Sequence, residues 1–223
     1  MKWSKADFYE FIINQEVIGF FDKPIKLKSG RLSYWYVNWR NVAEDVHSID
    51  ILSDYIISFV LYLGLKPDCF YGVPEGATKL GIICQYKWAK SQPNFEDMSY
   101  RLTMGRAKPK EHGDPKDLYF LGVPQGKVII LEDVTTTGGS LIETIRRLRQ
   151  IDVSIIAAIG LTNRNELRDD NKSVKKVINE LNVQYYAMSN AIDLLPKLKP
   201  GEELARRIED YFKRYGVHDI KLL

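Results

Sequence analysis

The chain has 223 residues, enough for one sizeable core, and its 45% hydrophobic and 27% charged residues are the balance of a folded globular protein, not a disordered or fibrous one. With 32 basic against 29 acidic residues the formal charge is only +3, too small to imply nucleic acid or an anionic membrane as partner, so any preference for anions must be local. No apolar run approaches the roughly 20 residues that span a bilayer, and the charged start MKWSKADFYEF lacks a signal peptide's apolar stretch, so a cytoplasmic protein is expected.

Ser4 with Asp7 three residues later is a capping-box-like start, and Phe8, Phe11 and Ile12 recur at helical spacing, which predicts an N-terminal helix. Residues 20–40 are aromatic and alternating around a Lys-Ser-Gly turn, the pattern of a hairpin or hood. A helix near 49–63, an apolar strand at 69–73 and a helix near 80–90 follow, the last two forming a βα unit. Cys69 and Cys84 show neither CxxC spacing nor nearby histidines and are read as small core residues, without metal or redox chemistry.

A buried strand at 128–131, a helix face at Leu141, Ile145 and Leu148, and a strand at 155–161 make a βαβ unit, hence a parallel sheet with right-handed crossovers. Val174, Val177, Ile178 and Leu181 mark another helix and 183–187 another strand. The last helix, 202–215, has Glu at its start, Arg and Lys near its end, and Gly216 as a C-cap stop. With no internal repeat and no low-complexity linker, a single α/β domain over 1–223 is expected, a hood at about 1–40 preceding a core at about 41–223.

The densest chemistry lies in Val128-Ile-Ile-Leu-Glu132-Asp133-Val-Thr135-Thr136-Thr137-Gly138-Gly139-Ser140, where a buried strand ends and an amphipathic helix begins. Ligands bind at that end of parallel strands. Small hydroxyl and glycine residues there let consecutive backbone N–H groups converge at the positive end of a helix, which suits a phosphate. Glu132 and Asp133 cannot bind that phosphate but can accept hydrogen bonds from vicinal hydroxyls, so the whole reads as a cradle for ribose 5-phosphate.

These thirteen residues resemble the phosphoribosyl pyrophosphate signature of type I phosphoribosyltransferases. The resemblance implies that family's fold, a parallel-rich central sheet flanked by helices with a small N-terminal hood. Leu27-Lys28-Ser29-Gly30-Arg31-Leu32-Ser33-Tyr34-Trp35-Tyr36-Val37-Asn38 is similar to the hood of the orotate phosphoribosyltransferases, which implies that Lys28 and Tyr36 meet the base. A planar anionic pyrimidine needs a cation for its carboxylate and an apolar face for its ring. Arg164, in Leu161-Thr-Asn-Arg-Asn-Glu166, matches the family's second orotate cation.

Arg106-Ala-Lys108-Pro-Lys110-Glu111-His112-Gly113 lies in a polar stretch that reads as a mobile loop. It resembles the family's catalytic loop, which closes over the active site of the neighbouring subunit of a dimer, and the resemblance makes Arg106, Lys110 and His112 catalytic. Cations in a water-free lid stabilise a departing pyrophosphate while C1 becomes oxocarbenium-like. Ala107 departs from the family's lysine, and Lys108 is the candidate substitute. Gly72-Val-Pro-Glu75-Gly76-Ala-Thr78-Lys79-Leu-Gly81 follows a strand and opens a helix, and the resemblance implies a pyrophosphate loop with Lys79 as its cation.

The five segments, spread over roughly 16–166, imply an orotate phosphoribosyltransferase of de novo pyrimidine biosynthesis. Its catalytic residues would be Arg106, Lys108, Lys110, His112, Glu132 and Asp133. Lys28, Tyr36, Lys79, Arg164 and the loop Thr135, Thr136, Thr137, Gly138, Gly139 and Ser140 would bind substrate. Magnesium is implied as cofactor, held by substrate and water rather than a protein cage, and a homodimer is expected in which the 104–118 loop serves the neighbouring site. The alternatives are a phosphoribosyltransferase for another base, disfavoured by the hood and the loop, and a non-catalytic regulator that senses phosphoribosyl pyrophosphate, for which no basic face or added DNA-binding domain is evident. The length is expected to leave no room for a fused decarboxylase.

Overall fold

The computed structural model describes residues 1–112 and 118–223. Helix α1 (Lys5–Asn14) starts where the Ser4 hydroxyl accepts the Asp7 backbone N–H at 3.2 Å, and it buries Phe8, Phe11 and Ile12 as their spacing predicts. The aromatic segment is an antiparallel hairpin of β1 (Ile18–Lys26) and β2 (Leu32–Val37), turned at Gly30, whose φ of +84° a side chain would resist. Alternate residues Ser33, Trp35 and Val37 are buried. After a 3-10 turn (Val42–Glu44), α2 (Val46–Tyr62) begins three residues earlier than its apolar pattern suggests, because the Asp45 carboxylate caps it at 2.7 Å from the Ser48 N–H.

The core then runs β3 (Cys69–Gly72), α3 (Thr78–Lys90), a small antiparallel pair of β4 (Met104–Gly105) with β5 (Phe120–Leu121), β6 (Gly126–Thr135), α4 (Gly139–Leu148), β7 (Val153–Asn163), α5 (Val174–Glu180), β8 (Tyr185–Asn190), α6 (Ala191–Leu198) and α7 (Glu202–Tyr215), the expected alternation with the β4/β5 pair and α6 added. The main sheet has the order β3-β6-β7-β8, parallel throughout. Along β6, Ile129 and Leu131 face the packing of α1, α2, α3, α6 and α7, while Val128 and Ile130 face α4 and α5, so both faces of the strand are dry. Cys69 and Cys84 are buried and free, as small core residues should be. Among the described residues no helix is long and apolar enough to cross a membrane.

Several boundaries move. β6 runs four residues past Leu131, carrying Glu132 and Asp133 inside the strand, with Glu132 opposite Gly160 of β7. The strand expected at 183–187 lies at 185–190 and is followed by α6, which Pro196 in its own last turn concealed. Gly216 does end α7, but by close approach and not by a left-handed turn: its φ is −72°, and an added Cβ would lie 2.6 Å from the Phe212 carbonyl oxygen. Of the expected 104–118 lid, residues 113–117, Gly113 included, lie outside the described residues.

Candidate active site

Because the main sheet is parallel, the carboxyl ends of β3, β6 and β7 meet at one edge, and a cavity of about 340 Å³ opens there. Its floor is Glu132 and Asp133; one wall is the loop 136–140, another is Pro74, Glu75 and Gly76 with Asn38 and Arg40, and the hood supplies Lys28, Ser29 and Tyr36. Gly76 is needed at this spot, since a Cβ would sit 2.2 Å from an Asp133 carboxylate oxygen. Gly138 turns the loop with φ +72° into α4, and no side chain caps that ten-residue helix, so its first N–H groups are open to an anion. Burial, reinforced by the Asp133 charge, pushes the Glu132 carboxyl well above its ordinary range.

The hood closes on this cradle through Lys28, whose Nζ donates to the Ser140 hydroxyl at 2.9 Å. Arg164, at the end of β7, lines the cavity with a guanidinium lying 3.6 Å from the Trp35 ring centroid. Its Nε meets the Glu166 carboxylate at 2.7 Å and its Nη2 the Ser33 hydroxyl at 3.1 Å. The other Glu166 oxygen accepts from Arg31 Nη1 at 2.9 Å. Two guanidiniums thus share one buried carboxylate; Asp169, also near Arg31 at 3.3 Å, stands in solvent. Arg31 is answered by both Glu166 and Asp169, while Arg164, the one of the two that lines the cavity, shares Glu166 with it.

The phosphoribosyl transferase domain family matches residues 107–190. The orotate phosphoribosyltransferase of Bradyrhizobium diazoefficiens is 30% identical over 173 residues, covering 73% of this chain and 84% of that one. The chain belongs to the orotate phosphoribosyltransferase family. The family's Methylococcus capsulatus protein is 28% identical over 222 residues, covering 97% of this chain and all of its own, 100%. Among solved structures, the Francisella tularensis orotate phosphoribosyltransferase has a TM-score of 0.70 at 22% identity, with 95% of this chain and 100% of that chain covered. The adenine phosphoribosyltransferase of Leishmania donovani has 0.57 at 11%, over 91% and 85%. Those structural likenesses show the fold alone, and since it also carries an adenine enzyme, the choice of base must come from the site.

The site brings together Lys28, Tyr36, Glu132, Asp133, Thr136, Thr137, Gly138, Gly139, Ser140 and Arg164 of the residues that the orotate phosphoribosyltransferase resemblance singled out. Thr135 is not among the lining residues. It is buried, its hydroxyl bonds to the Tyr185 hydroxyl, and its carbonyl accepts the Arg164 N–H at 2.9 Å. Lys79 likewise turns from the cavity, its Nζ donating to the Ala43 carbonyl at 3.1 Å. Arg106, Lys108, Lys110 and His112 do not line the cavity of their own chain; Lys108, Lys110 and His112 are exposed. Arg31, Trp35, Arg40, Glu75 and Glu166 are participants that the sequence reading passed over. The charged residues at 164, 166 and 168, alternating after a strand, were the available signal.

Proposed function

We propose that the chain transfers the phosphoribosyl group of phosphoribosyl pyrophosphate to orotate, giving orotidine 5'-monophosphate and pyrophosphate in pyrimidine (UMP) biosynthesis, as a cytoplasmic homodimer. The observation that carries the choice of base is the pair of cations lining its side of the cavity, Lys28 and the buried Arg164, whose guanidinium is held by Glu166 and the Ser33 hydroxyl. A base bearing a carboxylate answers that charge. Uracil or a purine would leave it unanswered, and a site built for a charged partner rejects the analogue that lacks it.

The roles follow from position. The loop 136–140 and the start of α4 take the 5-phosphate, and Asp133 with Glu132 accepts from the ribose hydroxyls. Tyr36 offers a face to the pyrimidine ring while Lys28 and Arg164 orient its carboxylate. With both substrates held, the C1–oxygen bond breaks, its electron pair leaves with pyrophosphate, and the base nitrogen bonds to C1 while its N–H proton passes to the departing pyrophosphate or to water. The diphosphate is expected to arrive as a magnesium chelate, the ion offsetting leaving-group charge. Asp133 on the cavity floor and Glu75 on its wall suit its hydration shell; among the described residues no three His, Cys, Asp or Glu gather as a cage. Lys108, Lys110 and His112 are exposed and do not line their own cavity, which leaves them free to act as a lid on a neighbouring chain.

A steady-state assay with phosphoribosyl pyrophosphate, magnesium and each of orotate, uracil, hypoxanthine and adenine tests the reading. Turnover is expected with orotate alone. Equal or faster turnover of any uncharged base overturns the assignment of the acceptor.

A further inference from the structure

The segment after β7 carries charged side chains at alternate positions, Arg164, Glu166 and Arg168. The first two serve the base side of the cavity. Arg168 turns to the donor side, its Nη1 donating to the carbonyl oxygen of Thr137, the residue before Gly138. We infer that Arg168 is a positioning residue for the donor's 5-phosphate, holding the peptide between Thr137 and Gly138 so that its N–H faces the phosphate. This rests on the reading of the 136–140 loop as the phosphate cradle.

The carbonyl and N–H of a trans peptide point opposite ways, and the only cis bond among the described residues is elsewhere, before Glu75. Thr137 and Gly138 line the cavity and Arg168 does not. A carbonyl drawn outward to Arg168 therefore sends the Gly138 N–H inward. Nothing in the loop's own residues selects that orientation, because Gly138 has φ +72° and glycine accepts either sign of φ about equally. The outer side is also backed by α5, where a Cβ on Gly138 would lie 3.1 Å from Val174 Cγ1.

Arg168 is itself held in place. Its N–H donates to the Lys172 carbonyl at 2.9 Å, its carbonyl accepts the Asn171 N–H at 3.0 Å, and Asp170 lies 3.4 Å from its Nε. Asn171, at φ +59°, closes this turn, and Ser173 caps α5 directly after it. One short segment thus fixes Arg164 against the hood and Arg168 against the phosphate loop.

Ribose 5-phosphate, which has the donor's phosphate without its diphosphate, is the probe, titrated calorimetrically against wild type, Arg168→Ala and Arg168→Lys, with Tm and steady-state constants measured on each. If wild type does not bind ribose 5-phosphate, the cradle reading and this inference both fall. With wild-type binding established, Arg168→Ala is expected to weaken it about 10- to 100-fold, the worth of one hydrogen bond to a charged group. KM for phosphoribosyl pyrophosphate should rise correspondingly, with kcat and KM for orotate little changed. Arg168→Lys, which keeps a cationic donor on a long stem, should recover part of the loss. Wild-type affinity in Arg168→Ala, or equal losses for both substrates, overturns the inference while leaving the cradle reading intact.

Discussion

Glu132 lies at the point where a dry strand meets the cavity, and its two surroundings pull against each other. Burial, and then the Asp133 charge, raise its pKa; Lys28 lowers it. A carboxyl with a raised folded pKa binds its proton more tightly folded than unfolded. That stabilisation is complete below the unfolded glutamate value of about 4.3 and is lost as pH rises through the raised folded value. Glu132→Gln keeps the shape and removes the titration, so at pH 7 it is expected to unfold at a higher temperature than wild type, by about 2–4 °C for each kcal/mol recovered. The gain should disappear at about pH 4 and below, where wild-type Glu132 is protonated in both states. Thermal unfolding of both proteins at the two pH values checks this, and a gain that persists unchanged in acid would rule out ionisation as its cause. Holding a strained carboxyl at the site is the stability given up for function.

At the scale of elements, the pairing of β6 with β8 through side chains assigns Thr135 to the frame. Its hydroxyl and that of Tyr185 are each other's partner across β7, both buried. Thr135→Val should cost about 1–3 kcal/mol by leaving the Tyr185 hydroxyl unpaired, and Thr135→Val with Tyr185→Phe should regain most of that. In folded Thr135→Val, kcat/KM for phosphoribosyl pyrophosphate should stay near wild type; a selective collapse would return Thr135 to the substrate. The expectation that Thr135 binds substrate came from its place in a motif, and the motif does not say which of three consecutive threonines is the last to point into the sheet. The same limit explains the other differences. Apolar runs located β3, β6 and β7, because strands buried on both faces show themselves as such. Charged Glu132 and Asp133 hid the rest of β6, which register with β7 holds in the strand. Lys79 looked like a pyrophosphate cation by position along the chain, but the packing of α3 beside the 3-10 turn aims it at Ala43. Arg31 and Glu166 meet across 135 positions, a contact no local pattern contains.

For the whole molecule, the question is whether the proposed lid would work on its own chain or on a neighbour. Lys108, Lys110 and His112 are exposed and none lines the cavity of its own chain, so reaching a leaving pyrophosphate requires either a swing of the loop or a neighbouring chain's site. If each active centre takes its cradle from one chain and its leaving-group cations from the other, activity requires dimerisation, and two different dead chains can repair one another. One chain carries Glu132→Gln and Asp133→Asn, which removes the acceptors for the ribose hydroxyls; the other carries Lys110→Ala and His112→Ala. Each homodimer should be nearly inactive. In a hybrid, one site joins the intact cradle to the intact lid and the other site has lost both. Random reassortment of equal amounts makes about half the dimers hybrid, so activity should recover to roughly a quarter of wild type per total site. Subunit exchange is followed independently by mass or by an affinity tag. Exchange without recovered activity would show that the loop acts within its own chain, and the exposed cations of the 106–112 segment would then have to swing onto their own cavity to reach the leaving pyrophosphate.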